Sequence, residues 1–187
     1  MDQNTTLIVA IIILVVVVAA LARMMWQRRR SETLRERYGP EYERAVQELG
    51  DRRQAEAELL KRKERVEHLD IRPLPPAERT RFADAWRGVQ ARFVDDPRGA
   101  VMQADSLVEE VMKTRGYPVA DFDQRAADLS VHHPRVVENY RAAREVAIRH
   151  RRGEAGTEDL RKAMVHYREL FEDLLEDAEH THKEVAR

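Results

Sequence analysis

The chain of 187 residues has no cysteine, seven glycines, seven prolines and only 6 % aromatic side chains. Without cysteine there is no disulfide, no zinc–thiolate site, no iron–sulfur cluster and no thiol nucleophile. So few glycines leave little material for phosphate-cradling loops or β-hairpins, and neither a Walker nor a dinucleotide glycine pattern occurs. The only serines are Ser31, Ser106 and Ser130, and none sits in a Gly-x-Ser-x-Gly elbow. An excess of one charge is missing as well: 33 basic residues face 34 acidic ones, so no overall field draws nucleic acid. No run alternates apolar and polar residues as a strand would.

What the chain does have is one wholly apolar segment. Residues 7–22 read LIVAIIILVVVVAALA, 16 positions without a polar side chain. At about 1.5 Å per residue they cover roughly 24 Å of a ~30 Å hydrocarbon core. Extended from Thr5 to Trp26, the stretch reaches about 33 Å, with Arg23 able to snorkel and Trp26 placed as an interfacial aromatic. The competing reading is a cleaved signal peptide, since Ala20-Leu21-Ala22 fits a small-x-small cleavage pattern. Against it, the leading MDQNTT carries Asp2 and no Lys or Arg, and the new terminus would soon meet Arg28-Arg29-Arg30. The run therefore predicts an uncleaved transmembrane anchor over residues 1–26. Arg23, Arg28, Arg29, Arg30, Arg35 and Arg37 follow it and none precedes it. The positive-inside rule then puts the C-terminal part in the cytoplasm, at the cell membrane, with the basic cluster against anionic lipid.

Residues 27–70 read as a charged helical neck. Between Arg23 and Asp70 there are thirteen Lys/Arg and eleven Asp/Glu, with few large apolar side chains. The first helix runs to Tyr38, where Gly39-Pro40 breaks it. A short helix over 41–49 follows, with Ala45, Val46 and Leu49 on one face and Gly50 as its stop. Another covers 51–70, supported by Arg52–Glu56, Glu58–Arg62 and Lys63–Glu67 pairs at i,i+4. Its stripe of Leu59, Leu60, Val66 and Leu69 is thin, so the neck is expected to contribute little to folding.

Pro73, Pro75 and Pro76 mark a boundary. Beyond it, residues 71–179 predict a four-helix bundle-like domain in an all-α chain. The first segment, 77–95, spaces Phe82, Ala85, Trp86, Val89 and Phe93 at three and four. The second opens with Asp96-Pro97 as cap and first residue and stops at Gly116. The third starts near Pro134 and ends at Gly153. The fourth is capped by Thr157 and carries Leu160, Met164, Tyr167, Phe171, Leu174 and Leu175. A helical piece over 122–129 joins the second to the third, and 180–187 reads as a disordered tail.

Candidate chemistry is sparse. His132-His133 before Pro134 reads as helix entry and capping, and His166 as a satisfied histidine at the edge of an apolar stripe. Glu179-His180-Thr181-His182 is no di-iron motif, because its partners on facing helices are missing. Asp121-Phe122-Asp123-Gln124 begins like a calcium loop but lacks its glycine and bidentate glutamate, so helix capping explains it. Glu109-Glu110 falls on a solvent face, and Arg149, Arg151 and Arg152 complement a helix C-terminus. No catalytic, cofactor-binding or metal residue is assigned, and no nucleic-acid partner is expected. The membrane-interface set is Arg23, Trp26, Arg28, Arg29 and Arg30. In the turn Arg115-Gly116-Tyr117-Pro118, Tyr117 either contacts its own helix or, if exposed, is a candidate partner contact.

The stretches Asp70-Ile71-Arg72-Pro73-Leu74, Arg92-Phe93-Val94-Asp95-Asp96-Pro97, Arg115-Gly116-Tyr117-Pro118 and Ala163-Met164-Val165-His166-Tyr167-Arg168 lie within residues 34–175. On them the chain resembles an uncharacterised family of small bacterial proteins with one N-terminal membrane segment and a helical domain. The resemblance implies a membrane-associated, envelope-related protein and carries over no activity. The function expected is a single-pass anchored helical module that binds another protein. The alternatives are an envelope structural protein with its domain outside, or an enzyme whose motif is not visible.

A reporter active only in the cytoplasm, fused after Arg187, should give signal, and neutral replacements of Arg28, Arg29 and Arg30 should weaken it. A silent native fusion beside an active periplasmic reporter would reverse the predicted orientation.

Overall fold

The computed structural model describes residues 3–118 and 121–176; within the first helix, the side chains of residues 3–11, Ala20, Gln27 and Arg28 are outside that description. The described chain is all-α. Its helices are α1 Gln3–Tyr38, α2 Pro40–Leu49, α3 Arg52–Glu67, α4 Pro76–Arg92, α5 Pro97–Arg115, α6 Phe122–His132, α7 Val137–Arg151 and α8 Thr157–Glu176. Among the described residues no helix is long and apolar enough to cross a membrane. Of the apolar run 7–22, residues 7–11 and Ala20 fall outside the described side chains.

The bundle is built from α4, α5, α7 and α8. Helix α8 packs against α7 and α5, and α4 packs against α5. Its core joins Phe82, Trp86 and Val89 of α4 to Val101, Ala104, Val108, Val111 and Met112 of α5. Tyr140 and Ala143 of α7 and Leu160, Tyr167, Leu170, Phe171 and Leu174 of α8 complete it. Trp86 is 6 % exposed and stacks on Phe171 across the α4–α8 contact, centroids 4.8 Å apart. The expected punctuation is largely present. The Asp96 carboxylate caps α5 by accepting from the Gly99 amide at 2.8 Å, and Asp121 caps α6 by accepting from Gln124 at 3.0 Å. Helix α8 differs. Its cap bond runs from the Gly156 amide to Asp159 Oδ2, three residues into the segment, rather than through the expected Thr157.

The neck departs most from the sequence reading. Leu34 and Tyr38 of α1, Tyr42 and Ala45 of α2, and Ala55, Leu59 and Val66 of α3 form a second apolar core, closed by Val131 of α6. A thin stripe was expected because Tyr38 and Tyr42 lie on either side of the helix break and belong to no single period. Gly39 resolves that break in one residue at φ 51°. Both tyrosines then meet α3, with the Tyr38 hydroxyl donating to the Leu59 carbonyl at 3.2 Å. Glu58–Arg62 and Lys63–Glu67 pair as anticipated, at 3.2 and 3.4 Å. Glu56 instead accepts from the Ser31 and Tyr42 hydroxyls.

Two buried carboxylates tie neck to bundle. Glu41 of α2, 1 % exposed, takes Arg141 of α7 at 2.8 Å and Arg62 of α3 at 3.4 Å. Asp128 of α6, also 1 % exposed, takes Arg65 of α3 at 2.7 Å. The linker is pinned as well: the Arg72 amide donates to the Arg115 carbonyl at 2.8 Å. Gly116 (φ 99°) lies so close to this strand of chain that a Cβ there would stand 2.2 Å from the Asp70 carbonyl oxygen.

Trp86→Ala should destabilise the protein by about 3–5 kcal/mol, the usual range for a large buried aromatic. A chain trimmed to begin at Ile71 should melt below the full chain, because Asp128 and Arg141 lose their partners. Thermal melts followed by circular dichroism check both; unchanged melts in either case would show that these contacts carry little of the stability.

Candidate functional site

Three groups of residues could carry function: the exposed end of α1, a polar cluster where helix C-termini meet, and a buried tyrosine–carboxylate pair. On α1, Arg23, Arg29 and Arg30 are exposed, and so is Trp26 at 61 %. The Arg30 guanidinium lies 5.6 Å from the Trp26 ring centroid, so the aromatic and the cation share one patch. Arg28 falls outside the described side chains. Around the helix above this patch, Ile12, Ile13, Leu14, Val15, Val16, Val17 and Val18 are 47–62 % exposed.

The second group decides between the two readings of Tyr117: the contact with its own helix is present and the exposed partner contact is not. The ring is 3 % exposed and belongs to the bundle core, so it offers no surface to a partner. Gly116, in the left-handed region, ends α5 and turns the chain inward, and the Tyr117 amide donates to the Met112 carbonyl at 3.0 Å. The Tyr117 hydroxyl meets His132 Nδ1 at 3.2 Å. His132 and His133 also lie elsewhere than expected. They end α6, which runs three residues beyond its predicted stop, and the His133 amide donates to the Leu129 carbonyl. His133 is buried. Its Nδ1 hydrogen-bonds to Asp173 of α8, and its Nε2 stands 3.4 Å from the Arg115 guanidinium. Arg115 in turn donates to the Leu174 carbonyl at 3.0 Å.

This cluster gathers histidine, carboxylate, tyrosine and arginine, the residue types of a catalytic site. Its geometry is that of a clamp. The ends of α5 and α6 converge there on α8, with their carbonyls turned outward and carrying partial negative charge. Arg115 places a cation and donors among them. No group of three or more histidines and carboxylates with metal-binding geometry occurs among the described residues. His166 is half-buried, with Asn139 Oδ1 3.0 Å from its Nδ1. Glu109 pairs with buried Arg125, and Glu110 with Arg81 at 2.9 Å. His180 and His182 lie outside the described residues.

Third, Asp105 of α5 bridges two helices of the core: the Tyr167 hydroxyl donates to it at 3.1 Å and Arg144 at 3.0 Å. Burial is the main cause that raises the pKa of Tyr167 and of neighbouring Tyr140 above the ordinary tyrosine value, and the Asp105 charge adds to it. Two open depressions mark the surface. One, of about 500 Å³, is lined by Arg44, Arg141 and Arg144 together with Asp123, Glu138 and Glu145. The other, of about 650 Å³, runs along Trp86 and Phe171 between Arg79 and Glu172. Neither juxtaposes a nucleophile with a base.

Comparison of the chain with protein-family models, with curated proteins and with solved structures finds no match. No residue role is therefore transferred from another protein.

The tyrosines predict an alkaline limit to stability. With folded-state values above 10.0, the unfolded chain loses its phenolic protons first as pH rises. Stability is thus intact below about pH 10 and falls above it, by up to about 1.4 kcal/mol per pH unit for each such tyrosine. Tyr140→Phe should flatten that fall, measured as urea midpoints at neutral and alkaline pH. An equally steep fall in the variant would assign the effect to other groups.

Proposed function

We propose that this protein is a single-pass membrane protein whose N-terminal helix anchors a helical domain that binds another protein at the cytoplasmic face. One observation carries the anchor: residues 12–18 are apolar and exposed through almost two full turns of α1. Side chains at seven successive positions point in every direction around a helix. A partner helix or a groove would cover one face and leave the rest in water. A bilayer covers all of them. The sequence extends this surface back to Leu7, and it ends at Trp26 and the arginines, as an interfacial boundary does. The resemblance to small bacterial proteins with one N-terminal membrane segment agrees with this reading.

The binding role rests on what the domain presents. Among the described residues outside α1, the large exposed apolar side chains are Leu49, Val94 at 81 % and Met102 at 60 %. Val94 and Met102 thus offer apolar side chains to a partner on the domain surface.

The full chain should sediment with membranes and resist alkaline carbonate, whereas a chain beginning at Arg29 should stay in the supernatant. Photo-crosslinkers at Val94 and Met102 should each return a reproducible protein adduct. Release of the full chain by carbonate would overturn the anchor; absence of any adduct at either position would overturn the binding role.

A further inference from the structure

The way α1, α2 and α3 are registered brings a second part of the chain to the depth of Trp26. Ser31 Oγ donates to Glu56 Oε1 at 2.5 Å, and seven residues on, Tyr38 Oη donates to the Leu59 carbonyl at 3.2 Å. Helix α3 therefore climbs in the same sense as α1, away from the apolar segment. Helix α2 comes back down between them, since Arg35 pairs with Glu43 across the Gly39 break at 2.8 Å. The turn that joins α2 to α3 thus faces the apolar end of α1. Arg52 is four residues, about 6 Å, before Glu56, and Trp26 is five residues, about 7.5 Å, before Ser31. The turn and the tryptophan lie at nearly one level.

The side chains at that level suit a bilayer surface. Leu49 is 43 % exposed at the end of α2, although every other large apolar side chain of α2 and α3 is buried or half-buried. Arg52 and Arg53 follow it, both exposed. The acids of the turn are occupied: Glu48 pairs with Arg44, and the Asp51 carboxylate accepts from the Arg53 amide at 2.9 Å.

We infer that the α2–α3 turn is a second, peripheral membrane contact, with Leu49 in the headgroup–acyl boundary and Arg52 and Arg53 on anionic phosphate headgroups. It rests on the anchor reading and adds to it. A single spanning helix can tilt and rotate in the bilayer and carry the domain with it, whereas a second footing sets which edge of the domain faces the bilayer.

Because the chain has no cysteine, Leu49→Cys gives one site for an environment-sensitive fluorophore. The full chain would be placed in vesicles of phosphatidylcholine with a minor fraction of phosphatidylglycerol, some carrying lipid-borne quencher. The same label at Val94→Cys and Met102→Cys controls for the probe's own affinity, and an unchanged far-ultraviolet helix signal controls for folding. The label at 49 should be quenched while those at 94 and 102 are not. Replacing Arg52 and Arg53 by alanine should weaken the quenched state roughly fivefold for each arginine. A label at 49 no more quenched than the controls, in vesicles that retain the protein through carbonate, overturns this contact and leaves the anchor standing. Protein stripped by carbonate overturns both.

Discussion

A carboxylate removed from water must be neutralised where it lies, and Glu41 is the place where this protein meets that constraint. Its side chain is 1 % exposed, one residue beyond the start of α2, and is met by Arg62 from α3 and Arg141 from α7. Arginines from α3 and α7, 79 positions apart in sequence, converge on its one oxygen Oε1. Breaking such an arrangement by removing one partner costs about 3–5 kcal/mol, even where the intact pair adds little over an apolar contact. What Glu41 provides is therefore placement: with the cations missing its burial is untenable, so the neck has one way to sit on the bundle. Asp128 repeats the logic one turn further along α3, where Arg65 reaches it with two nitrogens at 2.7 and 2.8 Å.

The same economy of polar groups runs through the bundle. Arg115 accommodates the carbonyl end of α8, Asp105 joins Tyr167 to Arg144, and Gly116 admits the linker backbone to a distance no side chain would allow. The residues of catalytic type collected around His133 tie α5, α6 and α8 together.

The apolar segment and the neck are also mechanically continuous. Helix α1 leaves the apolar segment and reaches Leu34 and Tyr38, which are buried in the neck core, without a break. The direction of α1 is thereby passed to α2 and α3, and through the two carboxylates to α6 and α7.

Helix identity and most helix ends were legible in the sequence, because they depend on neighbours along the chain. The 3–4 spacing of Phe82, Trp86 and Val89, the cap at Asp96 and the stops at Gly39, Gly50 and Gly116 are local signals, and the helices follow them. The apolar run and the arginines after it are equally local. The inward turn of Tyr117 after Gly116 is a local signal too, but the shared core of Tyr38 and Tyr42 and the pairing of His133 with Asp173 were not legible. Each depends on residues that periodicity cannot relate: Tyr38 and Tyr42 meet on α3, and His133 meets Asp173 across 40 positions of chain. The buried charges mark the division most clearly. Glu41, Arg62, Arg65, Asp128 and Arg141 look like ordinary surface residues along the sequence, and a charge is assigned to the interior only when packing brings it an opposite one. The sequence by itself determined the helices and the apolar segment; the tertiary structure alone decided which charges hold them together.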